Sequence, residues 1–356
     1  MIAIIVFGLI ILYSASSQST RVNHQVFYNQ LLFSGLGLLA IFFLSRVDYR
    51  KYYDLAYVFY GINIFLLIGI FLFGYYALGA KRWIEFFGFN FQPSEFMKFS
   101  LILALARYFA DHKPRVSAHR SWARPAFFPE FGIPLLMTLV PTLLIFKQPD
   151  LGTALLILGI FFVVVFVAGA SVKYLASFLG ICVLATPVLW HMMKSYQKDR
   201  LMVFLNPNID PLGAGYTIIQ SKIAIGSGQF FGKGWLAGTQ NQLNFLPERH
   251  TDFIFSVIGE EWGFMGGMAL LACFCLLIFA SLRVVEQAKD TFGYLAGVGF
   301  VTIFALQVVI NIGMVLGLCP IVGITLPLIS YGRSSFLVFV FMFGFLINVG
   351  KKNKLL

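Results

Sequence analysis

An all-α polytopic membrane protein with about ten transmembrane helices is the fold class that three observations predict. Hydrophobic residues make up 59% of the 356 and charged residues only 12%, with a mean hydropathy of +0.84, far from the mixture of a soluble domain. Apolar stretches recur along nearly the whole chain, and each reaches or approaches the roughly 20 residues that a helix needs to cross the hydrocarbon. Basic residues gather in alternate short loops, the pattern of a cytoplasmic face.

The expected spans are 1–16, 29–45, 54–74, 94–110, 132–146, 154–170, 174–192, 253–282, 293–317 and 334–350. The first ends in "LYSASS", whose small residues resemble a signal-peptidase site, but no basic segment precedes it, so a retained helix is expected. Loops after even-numbered spans carry Arg46, Arg50 and Lys51, then Arg107, Lys113, Arg115, Arg120 and Arg124, then Lys173, then Arg283 and Lys289. Lys351, Lys352 and Lys354 follow the last span. Both termini are therefore expected in the cytoplasm of a multi-pass membrane protein, with residues 1–356 forming a single integral membrane domain.

Odd-numbered spans then lead into external loops, and two of these are rich in polar groups. One is "GAKRWIEFFGFNFQPSE" (79–95); the other is the large extracytoplasmic loop 193–252 between spans seven and eight. In the second, "NPNIDPLGAG" reads as turns, and "GYTIIQSKIAIGSG" spaces Ile218, Ile219, Ile223 and Ile225 as a short helix at the membrane surface would. No inverted repeat is visible, which disfavours many transporter architectures.

Composition also removes some function classes. The formal charge of +11 is distributed over short loops rather than gathered in a soluble domain, which fits orientation and anionic lipid better than nucleic acid. Cys182, Cys273, Cys275 and Cys319 lie in or beside apolar runs and suggest neither a disulfide nor a zinc framework. "GSGQFFGKG" (226–234) fails as a nucleotide motif, since Phe231 stands where a dinucleotide fingerprint needs Gly and Gly234 where a P-loop needs Ser or Thr. Flexible turns are expected there instead.

The polar candidates each have a plain role and a chemical one. Asp252, before span eight, suits a helix cap beside Thr251, and equally a catalytic or substrate-binding carboxylate that must face protein or water. In "QPSEFMK", Pro93 suits a first helical turn and places Glu95 and Lys98, three residues apart, on one face of span four. They are a neutralising pair or part of a functional cavity. Arg82, before Trp83, is an interfacial anchor or a clamp for an oxyanion or diphosphate. Asp150 in "KQPDLGT" reads as the N-cap of span six, with Lys147 snorkelling beside it. His250 without a second ligand is weak support for a metal, and Glu260 and Glu261, on different faces of one helix, are expected to hydrogen-bond within the bundle. The segment "NIGMVLGLCPIVGITLPLISYGRSS" breaks helical pattern at membrane depth, where irregular backbone must be buried or line a wet cavity. Its Ser330, Tyr331, Ser334 and Ser335 serve such a cavity, or packing and turns.

Together "ILYSAS", "GAKRWI", "QPSEFMK", "QPDLGTALL", "DPLGAGYTIIQSKIAIGSG", "FLPERHTDFIFSVIGEEWG", "NIGMVLG" and "LPLISYG" resemble the SEDS proteins (shape, elongation, division and sporulation) over the whole chain. "PERHTDF" resembles the RodA, or cell-elongation, branch; the division branch often has Ala where Arg249 stands. The resemblance implies a peptidoglycan glycosyltransferase that polymerises lipid II at the outer face of the cytoplasmic membrane with a class B penicillin-binding protein. It places the family's essential aspartate on Asp252, its fourth-span Glu and Lys on Glu95 and Lys98 as substrate-binding groups, and its first-loop arginine on Arg82. It also implies a divalent cation, Mg or Mn, near the diphosphate. Arg333 and Val322 depart from the pattern, standing where the family commonly has Gly and a polar residue; Arg333 puts the local loop geometry in question or adds a cation for the diphosphate. Two other readings compete: a lipid II flippase, which needs a passage from the inner face that these outward-clustered polar residues do not suggest, and a noncatalytic cell-wall scaffold.

Overall fold

The computed structural model describes residues 1–17, 25–77, 80–86, 89–112, 128–193, 195–213 and 215–354. Lys113, Arg115, Arg120 and Arg124, expected in one cytoplasmic loop, lie outside the described residues. In chain order the elements are α1 (Ile2–Ser16), α2 (Gln25–Leu44), α3 (Arg50–Phe73), β1 (Tyr75–Ala77), β2 (Ala80–Phe86), β3 (Phe89–Phe91), α4 (Pro93–Asp111), α5 (Ile133–Lys147), α6 (Leu151–Val167), α7 (Val172–Met192), α8 (Ser195–Leu205), α9 (Tyr216–Ser227), α10 (Thr239–Gln242), α11 (Ile254–Glu286), α12 (Thr291–Leu316) and α13 (Arg333–Lys354).

A helix occupies each of the ten segments expected to span. By length and composition, six helical stretches among the described residues are sufficient to cross a membrane: α2, α3, Glu130–Lys147, α11, α12 and α13. Shorter apolar helices are α1, α6 and Val172–Pro187 within α7. Between the seventh and eighth of these ten segments, α9 falls on "YTIIQSKIAIGS".

The first polar loop is where structure departs from expectation. Residues 75–77, 80–86 and 89–91 form a three-stranded antiparallel sheet in the order β1-β2-β3, with Tyr75 opposite Trp83 and Ile84 opposite Phe91. Aromatic and β-branched residues with polar ones between them suit a pleated, half-buried surface, so this stretch behaves as strand rather than loop. Its last strand runs directly into Gln92 and the first turn of α4.

The chain separates into two compact units. One comprises residues 39–186, 280–306 and 337–356; the other comprises 1–38, 187–279 and 307–336.

In the first unit α4 packs against α3, α5 and α6. From Leu101 to Ala106 its residues are apolar around the full circumference, and everything from Met97 to Ala106 is buried, as expected of a helix surrounded by others. Phe99 stacks on Phe300 with ring centroids 5.3 Å apart and planes at 3°. A polar cluster closes one end of this unit: Tyr49 donates its hydroxyl to Asp290 at 2.7 Å and its N–H to Asn348 at 3.0 Å, and Asn348 donates to Ser45 O at 3.0 Å. Burial, reinforced by Asp290, pushes the Tyr49 phenol up to about 12.

In the second unit α11 does not run straight. At Gly263 (φ 64, ψ −160) its helical conformation is interrupted, and the glycine-rich segment after α9 fills the break. Phe264 and Met265 donate their N–H groups to Gln229 O (2.9 Å) and Phe230 O (3.1 Å), while Lys233 and Gly234 donate to Glu260 O and Glu261 O (both 3.0 Å). Four backbone groups that the break would orphan are thus paired, which is the condition for irregular backbone beside a membrane helix. The segment must approach closely to do this: a Cβ on Gly228 would lie 1.9 Å from Gly259 O, and one on Gly263 2.3 Å from Gly232 N. "GSGQFFGKG" therefore supplies glycine for backbone contact with α11, a more specific task than flexible turns.

Candidate functional site

The candidate residues divide between the two units, and each set is built from its own surroundings. On α4, Pro93 occupies the first turn as expected, with extended Gln92 before it. The three-residue spacing brings Lys98 Nζ within 2.8 Å of Glu95 Oε1, and the lysine side chain is 0% exposed. A charge withdrawn this completely from water is tolerable only when paired. The second oxygen of Glu95, Oε2, is also buried and takes no hydrogen bond among the described residues.

Asp150 caps α6, accepting from Thr153 N at 3.2 Å. Its Oδ2 also accepts from Gln92 Nε2 and Ser94 Oγ, each at 3.2 Å. The carboxylate thereby joins the start of α6 to the start of α4, which goes beyond the expected cap. Arg82, on β2, turns its guanidinium onto the α5–α6 connection, donating Nε to Gln148 O at 3.0 Å and Nη2 to Pro149 O. β2, the α5–α6 turn and the first turn of α4 are thus tied into one polar corner of this unit, within which the structure brings Arg82 and Asp150 close in chain contacts and pairs Glu95 with Lys98.

In the other unit Asp252 is half-buried and lies two residues before α11. Its neighbours are held in different ways. Arg249, 7% exposed, donates Nε to Ala15 O at 2.9 Å and Nη1 to Asn244. Burial lowers its pKa from the ordinary arginine value. Thr251 Oγ1 reaches Glu248 Oε2 at 3.0 Å and Glu248 O at 3.1 Å, so the expected partner in capping turns back toward the loop. Burial also pushes the His250 imidazole below its ordinary value, with Glu248 opposing the shift and Arg249 adding to it. The imidazole is therefore held neutral. A cavity of about 290 Å³ opens beside Ser16, Asn244, Glu248, Arg249 and His250.

Glu261 hydrogen-bonds to another helix as expected, whereas the partners of Glu260 lie in the 193–252 segment. Glu260 Oε1 accepts from Lys233 Nζ (2.8 Å), Gln240 N (3.0 Å) and Thr239 Oγ1 (3.1 Å). Glu261 accepts from Ser14 Oγ, whose carbonyl accepts from Asn241 Nδ2 at 3.0 Å. These contacts attach the 233–241 segment and α1 to α11.

A family model for FtsW, RodA and SpoVE, described as "Cell cycle protein", matches residues 1–355. The chain belongs to the FtsW/RodA/SpoVE family. It is 40% identical over 359 aligned residues to the Escherichia coli K12 protein named peptidoglycan glycosyltransferase MrdB, covering 100% of this chain and 93% of that one. Stage V sporulation protein E of Bacillus subtilis is 37% identical, with 99% and 95% covered. Among solved structures, a chain from work on the coordination of polymerization and crosslinking by a peptidoglycan synthase complex is 34% identical, with a TM-score of 0.81 over 99% of this chain and 95% of that one. The rod shape determining protein RodA of Thermus thermophilus is 32% identical, with a TM-score of 0.70 over 99% and 94%. Membership of the FtsW/RodA/SpoVE family and the helical membrane architecture thus agree with the resemblance carried by the motifs.

Arg333, which departs from that family's pattern, opens α13 with its guanidinium carbon 5.8 Å from the Phe33 ring centroid. Sequence reasoning missed Asn311, which is 0% exposed on α12 and donates Nδ2 to Asp252 O at 2.8 Å and Ile324 O at 2.6 Å. An amide inside the apolar run "VVINIGMV" is itself a signal, since a polar group at membrane depth must find partners. Among the described residues, no three His, Cys, Asp or Glu side chains gather as metal ligands.

Proposed function

We infer that this chain is a peptidoglycan glycosyltransferase that polymerises lipid II into glycan strands for cell elongation. The observation that carries the reading is identity of 40% along the full chain to a relative named for that activity. The basic loops support an arrangement with both termini in the cytoplasm and loop 193–252 outside, where the sugars of a lipid-linked precursor meet water. A class B penicillin-binding protein is the proposed partner, supported by the likeness to a chain of a peptidoglycan synthase complex.

The reaction joins an acceptor sugar hydroxyl to the anomeric carbon of a donor whose lipid diphosphate departs. One bond forms from the hydroxyl oxygen to that carbon, the bond from the carbon to the diphosphate oxygen breaks, and the hydroxyl proton must be taken up. Asp252 is assigned as the general base, because a half-buried carboxylate next to a wet loop can be both ionised and reachable. Lys98 and Arg82 are assigned to the charge that develops on the diphosphate. The guanidinium of Arg82 has N–H donors beyond the two engaged on the α5–α6 turn. Glu95 holds the Lys98 ammonium in place through their 2.8 Å contact, and its Oε2 is buried beside it.

Among the described residues no set of side chains makes a metal cage, so a divalent cation held there would take most of its ligands from the diphosphate and water, as Mg²⁺ commonly does. No step above depends on it.

The test is polymerisation of labelled lipid II by the full chain with a partner lacking transpeptidase activity. Wild type should give long glycan strands and Asp252→Asn none, with both proteins folded. Equal polymer from both would remove Asp252 from the role of base; no polymer from either, in membranes that still translocate lipid II, would replace the reading with a flippase.

A further inference from the structure

The backbone around Asp252 is held more heavily than the start of a helix requires. A helix N-terminus leaves N–H groups to be satisfied, whereas here three consecutive carbonyl oxygens are captured. Tyr331 N donates to His250 O at 2.8 Å, Ser330 Oγ to Thr251 O at 2.5 Å, and Asn311 Nδ2 to Asp252 O at 2.8 Å. The donors are themselves fixed. Ser330 Oγ accepts from Leu326 N at 2.8 Å, and Asn311 gives its second N–H to Ile324 O. Both side chains are buried, Ser330 at 4% exposure.

The same amide therefore ties down two pieces of backbone that flank the carboxylate. A Cβ on Gly323, the neighbour of Ile324, would lie 3.4 Å from Asp252 Oδ2, so residues 323–324 run alongside the side chain. Gly323 has φ +69, a conformation that keeps this edge clear without strain.

We propose that Asn311 and Ser330 are positioning residues that aim the Asp252 carboxylate by fixing its backbone. The proposal rests on the reading of Asp252 as general base. A base must lie within hydrogen-bond reach of the proton that it removes, and a displacement of about 1 Å can lower a rate roughly a hundredfold.

The experiment measures initial polymerisation rates over a range of labelled lipid II concentrations, with the transpeptidase-inactive partner present. It compares wild type, Asp252→Asn, Asn311→Ala, Ser330→Ala and Ser330→Thr, and takes the melting temperature of each. Ser330→Ala and Asn311→Ala should lower kcat roughly ten- to a hundredfold with KM unchanged, and Ser330→Thr, which keeps the hydroxyl, should recover most of the loss. The serine pair decides the matter even where Asn311→Ala folds poorly. Wild-type kcat in Ser330→Ala beside an inactive Asp252→Asn overturns the positioning role alone, as does a loss that Ser330→Thr fails to repair. Wild-type kcat in Asp252→Asn overturns the general base and the positioning role with it.

Discussion

Lys98 meets Glu95 at 2.8 Å within one turn of α4, and Lys233 meets Glu260 at the same 2.8 Å across 27 residues of chain. The first pair is local, lies on a helix that is buried on every side, and leaves the lysine 0% exposed. The second joins the glycine-rich segment to α11 and leaves its lysine 27% exposed. Equal distances thus conceal different dependencies. Glu95 has Lys98 as its one hydrogen-bond donor among the contacts found, whereas Glu260 Oε1 also accepts from Thr239 and Gln240 N. A charge with one partner is neutralised and oriented by it; a charge with three is a hub that organises a loop.

The sharpest way to break the comparison is to remove each lysine. Lys98→Met abandons a buried carboxylate and should destabilise the protein by about 3–5 kcal/mol, the usual range for opening a buried pair. Adding Glu95→Gln should restore much of the melting temperature, because replacing both charges removes the abandoned one, yet it should leave polymerisation lost. Full activity in the folded double variant would reduce the α4 pair to a structural neutralisation and strip Lys98 of its role toward diphosphate.

Lys233→Met should do less, about 2 kcal/mol, since two other donors remain on Glu260 and the lysine already touches solvent. Its effect should also be local. Amide exchange should rise across residues 228–242 while α4 keeps its protection; an increase of equal size throughout the protein would show that the pair supports the whole fold rather than this segment.

These two pairs also mark what the sequence makes legible. Glu95 and Lys98 are three apart behind a proline that begins a helix, so their contact follows from helix geometry alone. Asp150 was readable for the same reason, as a cap immediately before an apolar run. The long apolar stretches announce the helices directly, because a membrane needs length and composition rather than a subtle period. Lys233 and Glu260 carry no local sign of each other. The break at Gly263 is equally silent, since the amides that fill it come from Lys233 and Gly234, roughly thirty positions earlier, and Gly259, Gly266 and Gly267 in the same span are just as ordinary for a membrane helix. The strands between residues 75 and 91 have only a compositional sign, aromatic and β-branched residues such as Trp83 and Ile84, because "KRWIEF" does not alternate polar and apolar residues. Asp252 stood out by chemistry, but its fastening by Asn311 and Ser330 depends on segments 59 and 79 residues away in sequence. Local pairs and caps are written locally; the aiming of a loop-borne carboxylate is not.

His250 extends the comparison to a half-buried ionisable group that makes no ion pair among the described residues. The lysines and glutamates above meet in ion pairs, whereas burial pushes the His250 pKa below its ordinary value, against the pull of Glu248 and with the repulsion of Arg249. The sign for stability follows from proton counting. Below about pH 6.5 the histidine of the unfolded chain takes up a proton that the folded protein resists, so the unfolded state binds more protons and the fold weakens as the pH falls. Above that value the two states are both neutral at this position and the residue contributes no pH dependence. Apparent melting temperatures in detergent between pH 7.5 and pH 5.5, as chosen conditions, should therefore fall more steeply for wild type than for His250→Gln, which cannot ionise. This is the smallest of the expected effects, and the pH window separates it from the carboxylates, which titrate mostly lower. Parallel curves would mean that the imidazole accepts its proton in the folded protein, with Glu248 rather than burial controlling it, and would make His250 a third charged member of the comparison.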